Sequence, residues 1–373
     1  MKTLLMKKSE IEVPKISYKE FSSSIDATLT NGRLPLCAEF DLTHHCNLKC
    51  AHCYIARDPY KKEMNTEEVF RVIDEIADAG CLWMLLTGGE PLAREDFKEI
   101  YIYMKKKGFI ITLFTNATLI TEEIAQLLEK RRPLVVEVTI YGVTSQTHEA
   151  VTGIKGSFEK CMNGIRLLYE KNIPFKLKTI ALTLNKDEIP AIKKFAEGFG
   201  LRLRVDPFIN PRIDGSLEPC KYRLSPEEVI EIFFSDERRM DELKRRCQEY
   251  KDFEPEYIYN CGAGKESFRL SPYGEMSLCL MSPYPCVNLV NGGTFKEGWE
   301  KLLPDVYTKR YKKNTKCKKC RIRFLCEICP GWAKMESGDE ESPVEYLCEI
   351  AHLKAEKLGI KGGEYGRDKK EKV

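Results

Sequence analysis

Residues 36–53 read LCAEFDLTHHCNLKCAHC and residues 81–91 read CLWMLLTGGEP. Each opens with a short apolar run suited to a buried strand, Leu36–Leu42 in the first and Cys81–Thr87 in the second. Each run then leads into a loop with chemistry in it. The first loop carries Cys46, Cys50 and Cys53, separated by three and then two residues, and the second is Gly88-Gly89-Glu90-Pro91. Between the two strands, Val69, Val72, Ile73 and Ile76 recur at helical spacing, behind an Asn65/Thr66 cap and before Gly80. Strand, loop, helix, strand is the first unit of a parallel α/β sheet, in which the loops leaving the C-terminal strand ends gather on one face.

The alternation continues to residue 208. Further strands are expected at Phe109–Phe114, Leu134–Tyr141, Phe175–Leu184 and Leu201–Phe208. The helices between them carry Phe97, Ile100, Tyr101 and Met104 before Gly108; Ile124, Leu127 and Leu128 after Thr121; and Phe158, Cys161, Met162 and Ile165 after Ser157. A fifth runs from Asn185, with Glu188 at capping-box spacing, to near Gly200. Six strands with right-handed crossovers mean a parallel sheet, open or curved into part of a barrel; the expectation is a partial (β/α)6 barrel of the TIM-like kind, too short to close, so that one edge admits a bulky substrate. Thr115 and Asn116 leave the third strand and Tyr141 and Gly142 the fourth, which puts them at one mouth with the cysteine loop and the glycine turn. Trp83 and Met84, on the second strand, read as core.

The chain has 373 residues, of which 43% are hydrophobic and 10% aromatic, enough for a sizeable core and for more than one domain. A net charge of +3 argues against a nucleic-acid partner. No apolar run reaches the ~18 residues of a membrane span, and the start is too short in apolar residues for a secretory signal, so no membrane is expected and the location is expected to be cytoplasmic. Sixteen cysteines in such a chain point to metal or catalytic use rather than disulfides. The expected division is an N-terminal extension (1–35), the barrel (36–208), a connector with a charged helical stretch (209–256), a turn-rich lobe stapled by metal (257–350), and a helix end with a charged tail (351–373). The last part, Lys361–Val373, reads as disordered.

Beyond the first cysteine loop, Cys317, Cys320, Cys326 and Cys329 form a second crowded set, accompanied by Cys261, Cys279 and Cys348. Taken alone, the crowded set suits zinc or iron-sulfur. The first set is more telling: three thiolates ligate three corners of a cubane and leave its fourth iron to an exogenous ligand. The six remaining cysteines, Cys37, Cys81, Cys161, Cys220, Cys247 and Cys286, read as small buried hydrophobes.

Together, Cys46-x3-Cys50-x2-Cys53 followed by Tyr54, and Gly-Gly-Glu-Pro at 88–91, resemble the radical S-adenosylmethionine (radical SAM) superfamily. The C-terminal cysteine pattern is similar to the SPASM extension of that superfamily, with one departure: two residues, Glu327 and Ile328, separate Cys326 from Cys329 where three are usual. The resemblance implies S-adenosyl-L-methionine as cofactor and three 4Fe-4S clusters, one radical-generating and two auxiliary. By that resemblance Cys317, Cys320, Cys326 and Cys348 complete one auxiliary cluster, and Cys261, Cys279 and Cys329 serve the other, which Cys286 either closes or leaves with an open iron. It also implies cofactor contacts from Gly88, Gly89, Glu90 and Pro91, with Glu90 accepting from the ammonium group. Tyr54 is implied near the adenine, and Thr115, Asn116 and Thr139 where the family holds ribose and carboxylate.

SPASM-bearing families mostly act on peptides, so the expected activity is a radical maturase: a thioether or carbon-carbon crosslink, or side-chain oxidation, in a peptide or protein. The alternatives are modification of a small molecule such as a tetrapyrrole, and a non-catalytic cluster or zinc protein. The basic run Lys316–Arg323 either offsets cluster charge or attracts a reducing ferredoxin or flavodoxin. Only 45 residues precede Cys46, too few for a leader-recognition domain of roughly 80, so any leader is expected to be read by a separate protein. Leu280 and Met281 follow Cys279, where sulfatase-maturing relatives place an aspartate base, which weighs against that branch. For a catalytic base, Asp206 and Asp214 are candidates by position alone, and His44, His45 and His52 are expected beside the cluster rather than as ligands.

Overall fold

The computed structural model describes residues 33–56, 58–249 and 256–360; the extension before residue 33 and the tail Lys361–Val373 lie outside these. Six strands, β1 (Cys37–Thr43), β2 (Trp83–Gly88), β3 (Ile110–Thr115), β4 (Val135–Thr139), β5 (Phe175–Ile180) and β6 (Arg204–Asp206), pair in chain order, each parallel to the next. This is the mixed α/β fold with a parallel, partial-barrel sheet that the alternation predicts.

Helix Thr66–Asp78 shows why the local reading works. Asn65 accepts from the Glu68 N–H while the Glu68 carboxylate accepts from the Asn65 N–H, and Val69, Val72, Ile73 and Ile76 are fully buried. They belong to one core cluster with Phe40, Leu42, Met84, Leu86, Ile111, Leu113, Val136 and Val138, the outward residues of β1 to β4. Phe97, Ile100, Tyr101 and Met104 of helix Phe97–Lys106 bury as the spacing predicts. The fifth helix does not form its expected capping box. Asn185 instead accepts from the Leu182 N–H, a short turn at Lys186–Glu188 intervenes, and the helix is Ile189–Glu197. Glu188 reaches the loop after β4, where Val143 N–H and the Thr144 and Thr147 hydroxyls donate to it.

The turn-rich region after 256 begins by continuing the barrel's sheet. β7 (Ser267–Leu270) pairs parallel with β1, and β8 (Glu275–Ser277) and β9 (Val287–Asn288) extend the sheet antiparallel, giving the order β6-β5-β4-β3-β2-β1-β7-β8-β9. Phe268, Met276, Trp299 and Leu303 join the barrel's own core cluster. The expected boundary at 350 also falls inside helix Glu345–Lys357, whose Ile350 packs with Val229 and Ile230 of the connector helix Pro226–Phe234.

Alternation along the strands puts Glu39 and Asp41 on the inner face of β1, and Glu39 stands in register with Arg269 of β7. Arg269 donates to Asp41 through both Nε, at 3.0 Å, and a terminal nitrogen, and His44 Nε2 lies 3.3 Å from the same carboxylate oxygen. Burial works against the Asp41 carboxylate, but Arg269 and His44 outweigh it and hold its pKa below the ordinary value. Removing one member strands a buried charge. We expect Arg269→Met to destabilise the fold by about 3–5 kcal/mol in chemical denaturation, and the double variant Arg269→Met/Asp41→Asn to recover part of that loss.

Candidate active site

The cysteine loop follows β1 and is held along its backbone from three directions. From β2, Gly89 N–H donates to Thr43 O and Glu90 N–H to His45 O, each at 2.8 Å. From the helix Ser145–Thr152, the carbonyls of Thr152 and Val151 accept from Lys49 N–H and Ala51 N–H, each at 2.9 Å. From the loop after β6, Ile213 N–H donates to Tyr54 O.

The two glycines serve this contact. A Cβ on Gly88 would stand 2.3 Å from Thr43 O, and one on Gly89 would stand 2.3 Å from His45 O. Gly88 also has φ of +120°, a conformation that L side chains rarely adopt. From sequence, these glycines admit a ligand; in the fold their close approach is to the cluster loop itself.

Glu90 is tied into the protein by its own donors. It is fully buried, Oε1 accepts from Thr115 Oγ1 at 2.8 Å and Leu92 N–H at 3.1 Å, and Oε2 accepts from Asn116 N–H at 2.8 Å. Burial pushes its pKa up to about 7 against those three donors. The side chain ties the β2 loop to the β3 loop, with Pro91 buried at the start of the short turn Pro91–Ala93. Asn116 carries the tie onward, donating to Asn47 Oδ1 at 3.1 Å and to Cys46 Sγ at 3.9 Å. Thr139 closes β4, half-buried and in register with Lys178 of β5.

Cys46, Cys50 and Cys53 are half-buried, and burial first, then Cys53 and Cys46, drives the Cys50 pKa up. With burial opposing the Cys50 thiolate and two further thiols adding to that, a cationic centre would stabilise the loop. Among the described residues no three His, Cys, Asp or Glu side chains converge closely enough to share one metal ion. Three soft thiolates on one short loop are a donor set that would fit three irons of a 4Fe-4S cluster.

The C-terminal cysteines sort into two neighbourhoods. Burial, then Cys348, Cys317 and Cys320, raise the Cys326 thiol, and Cys348 is pushed to about 12 by burial, Cys317 and Cys320. Separately, Cys279 rises to about 12 through burial, Cys329 and Cys261, and Cys261 also acts on Cys329. Cys286 belongs to neither: its charged neighbours are Glu275, Lys61 and Arg269. Of the other five cysteines, Cys81 and Cys161 are buried, whereas Cys37, Cys220 and Cys247 are only half-buried.

Sequence reasoning placed His52 beside the cluster but missed its Tyr141 partner, and it missed the charge inside the barrel. His52 is buried with Nε2 3.1 Å from the Tyr141 hydroxyl, which also bonds Cys50, so this pair backs the cluster loop; its one signal was a histidine directly before Cys53. The inner face of the barrel is charged. Lys178 lies 3.8 Å from Glu137 and 2.9 Å from the centre of the Phe114 ring, within the field of Arg204, Asp206 and Glu39. Tyr54, half-buried, lies in the field of Asp41, Glu39, Cys53 and Arg269. Asp206 is a lumen neighbour of Lys178, but Asp214 is exposed and accepts from Ser216 N–H. Trp83 is half-buried rather than core, Met84 is core, and His45 is exposed.

Burial brings Glu39 up to about 7, with Asp41 adding to it, and brings Lys178 down to about 7. A lysine with a depressed pKa binds fewer protons folded than unfolded, so its contribution to stability rises with pH between about 7 and the ordinary 10.5. Wild-type protein should therefore gain stability over Lys178→Met across that window, by up to about 1.4 kcal/mol per pH unit in urea titrations. Gly89→Ala should cost about 1–3 kcal/mol and lower the iron retained after anaerobic reconstitution, because the atom it strikes is backbone and has nowhere to go.

Residues 41–196 match the family model described as the Radical SAM superfamily. The AdoMet-dependent heme synthase of Methanosarcina barkeri (strain Fusaro / DSM 804) is 29% identical over 345 residues, covering 83% of this chain and 95% of that protein. The antilisterial bacteriocin subtilosin biosynthesis protein AlbA of Bacillus subtilis (strain 168) is also 29% identical, over 276 residues, covering 72% of this chain and 60% of AlbA. Among solved structures, SuiB of Streptococcus suis bound to precursor peptide SuiA superposes with a TM-score of 0.65 at 17% identity, covering 90% of this chain and 82% of SuiB, which shows a common fold.

Proposed function

The chain is a radical SAM enzyme of the maturase-like type, and on that premise we propose that it modifies a peptide or protein substrate, forming a thioether or carbon-carbon crosslink or oxidising a side chain. Cys46, Cys50 and Cys53 would hold the 4Fe-4S cluster, with S-adenosyl-L-methionine at the mouth bordered by Gly88, Gly89, Glu90, Pro91, Thr115, Asn116 and Thr139. When bound, this cofactor pair supplies a 5′-deoxyadenosyl radical by one-electron cleavage of a carbon-sulfur bond, and the radical takes hydrogen from substrate. The chain's part is positional. The glycine turn fixes the height of the thiol loop, Glu90 locks Thr115 and Asn116 to it, and Glu39 and Lys178 stand in the lumen as groups able to exchange a proton near neutral pH.

The observation that carries the reading is the convergence of the three-thiol loop with the loops after β2, β3 and β6 on one mouth. The peptide assignment is supported by the match to AlbA over most of this chain and by the fold shared with a peptide-bound structure. We further propose two auxiliary 4Fe-4S clusters, one on Cys317, Cys320, Cys326 and Cys348 and one on Cys261, Cys279 and Cys329. The placement of Cys286 beside Glu275 and Lys61 supports an open iron on the second, where a substrate thiolate would bind, and so favours a thioether product. A reducing partner such as a ferredoxin or flavodoxin, a separate leader-binding protein and a cytoplasmic location complete the proposal. Among the described residues no helix is long and apolar enough to cross a membrane.

The near full-length match to a heme synthase supports a second reading, with a tetrapyrrole as substrate. Anaerobic assays with S-adenosyl-L-methionine and dithionite separate the readings. We expect 5′-deoxyadenosine, accelerated by a cysteine-containing peptide and not by an iron porphyrin. The variant Cys46→Ala/Cys50→Ala/Cys53→Ala should lose about four irons per chain and all 5′-deoxyadenosine. Unchanged iron in that variant would remove the cluster assignment, and acceleration by the porphyrin alone would select the second reading.

A further inference from the structure

Residues 309–323 contain nine cations, Lys309, Arg310, Lys312, Lys313, Lys316, Lys318, Lys319, Arg321 and Arg323, and no carboxylate. Four have partners: Lys309 pairs with Glu340 at 3.0 Å, Arg310 with Glu256 at 2.5 Å and Lys313 with Asp339 at 3.0 Å, while Arg323 donates to the Tyr311 hydroxyl. Among the described residues Lys312, Lys316, Lys318, Lys319 and Arg321 make no ion pair, and all five are exposed. Like charges at this density repel one another, and of the five exposed cations Lys316 alone acts on the thiols beneath, Cys317 and Cys348, so most of this charge faces outward. Their arrangement therefore calls for an anionic surface from outside.

What lies beneath them narrows the anion. Lys318, Lys319, Arg321 and Arg323 line a groove of about 1240 Å³ that also contains Cys261, Cys279, Cys320, Cys326 and Cys329, members of both C-terminal thiol neighbourhoods. Its other charged lining residues are the cations Arg245, Arg246 and Lys265 and the carboxylates Glu242 and Glu266. Exposed cations and soft, redox-capable thiols thus line one groove. A polyanionic nucleic acid would use the charge but not the thiols, and the chain's net charge of +3 offers no wider basic track for it.

We propose that this face is the docking surface for an acidic one-electron carrier protein, of ferredoxin or flavodoxin chemistry, which hands its electron to the auxiliary cysteine centres. The step is a single electron transfer: the carrier is oxidised by one electron, the cysteine-held centre is reduced by one, and no bond or proton moves. This rests on the reading that those cysteines hold iron-sulfur clusters, whereas docking is measured without turnover. Such encounters are weak, small and steered by charge, and an arc of exposed cations provides that.

The test uses reconstituted full-length protein and a purified acidic flavodoxin, with affinity measured at low and at physiological salt. Wild-type affinity should fall steeply with salt. The variant Lys312→Glu/Lys316→Glu/Lys319→Glu/Arg321→Glu should bind at least about tenfold more weakly at low salt. A control, Lys106→Glu/Lys130→Glu/Lys160→Glu, reverses exposed cations elsewhere and should change affinity by less than about twofold. Flavodoxin-driven 5′-deoxyadenosine formation should fall in the first variant while the dithionite-driven rate stays at the wild-type level. Iron content and thermal unfolding guard against misfolding, and should the fourfold variant lose iron, Lys312→Glu/Lys316→Glu alone is read in the same binding assay. Unchanged flavodoxin affinity, equal loss in the control, or tighter binding of a DNA duplex than of flavodoxin at the same salt would each overturn the proposal. Absence of 5′-deoxyadenosine from the wild-type protein with dithionite, alongside salt-dependent flavodoxin binding that the fourfold variant loses, would instead count against the enzymatic reading and leave the docking surface standing.

Discussion

The structure depends on a contact between two pieces of backbone: the carbonyls of Thr43 and His45 on one side, the N–H groups of Gly89 and Glu90 on the other. No side chain fits between them, so sequence is constrained here by the absence of atoms rather than by their chemistry. Everything nearby is positioned through this clamp. Glu90, brought inside by it, organises Thr115 and Asn116, and Asn116 reaches back to Asn47 and Cys46. Three loops that have no regular structure of their own become one rigid rim, as a site needs if its reacting groups are to be held in place.

How much of this could be read from sequence depended on whether the signal was local. The helix faces were legible because burial of Val69, Val72, Ile73 and Ile76 requires only a helical period and a cap. The thiol loop and glycine turn were legible because spacing and order identify them. The role of Glu90 was not, since an acid beside a glycine turn looks ligand-facing until its three donors, up to 26 residues away, are in place. Glu188 misled for the same reason: its capping-box spacing is real, but donors more than 40 residues distant in sequence claim the carboxylate.

The charged lumen and β7 were hidden by a different cause. Lys178, Glu137 and Glu39 sit on strands whose other face is apolar, and alternation alone reads such residues as solvent-facing. In a curved sheet the inner face is enclosed, so polar positions become buried ones with displaced pKa values. β7 is four residues long in a stretch full of turns, and Arg269 at its centre looks like surface. Only the register with Glu39 and the bond to Asp41 explain why a strand forms there. The C-terminal thiols were more readable than the segment that carries them, because their order along the chain survives whatever sheet they join.

The partner of Asp41 lies 228 residues further along the chain. During synthesis, at roughly 5–20 residues per second, that separation amounts to about 10–45 s in which β1 and its thiol loop have emerged but the guanidinium that neutralises the carboxylate beneath them does not yet exist. Helices and β2 to β6 can collapse in that interval, yet the nascent barrel leaves the β1 edge bare and the Asp41 carboxylate with His44 as partner but without its guanidinium. The last third of the protein thus closes the edge of the first strand, and a ribosome that stalls before β7 releases a chain whose catalytic loop is present in full but whose floor is unfinished.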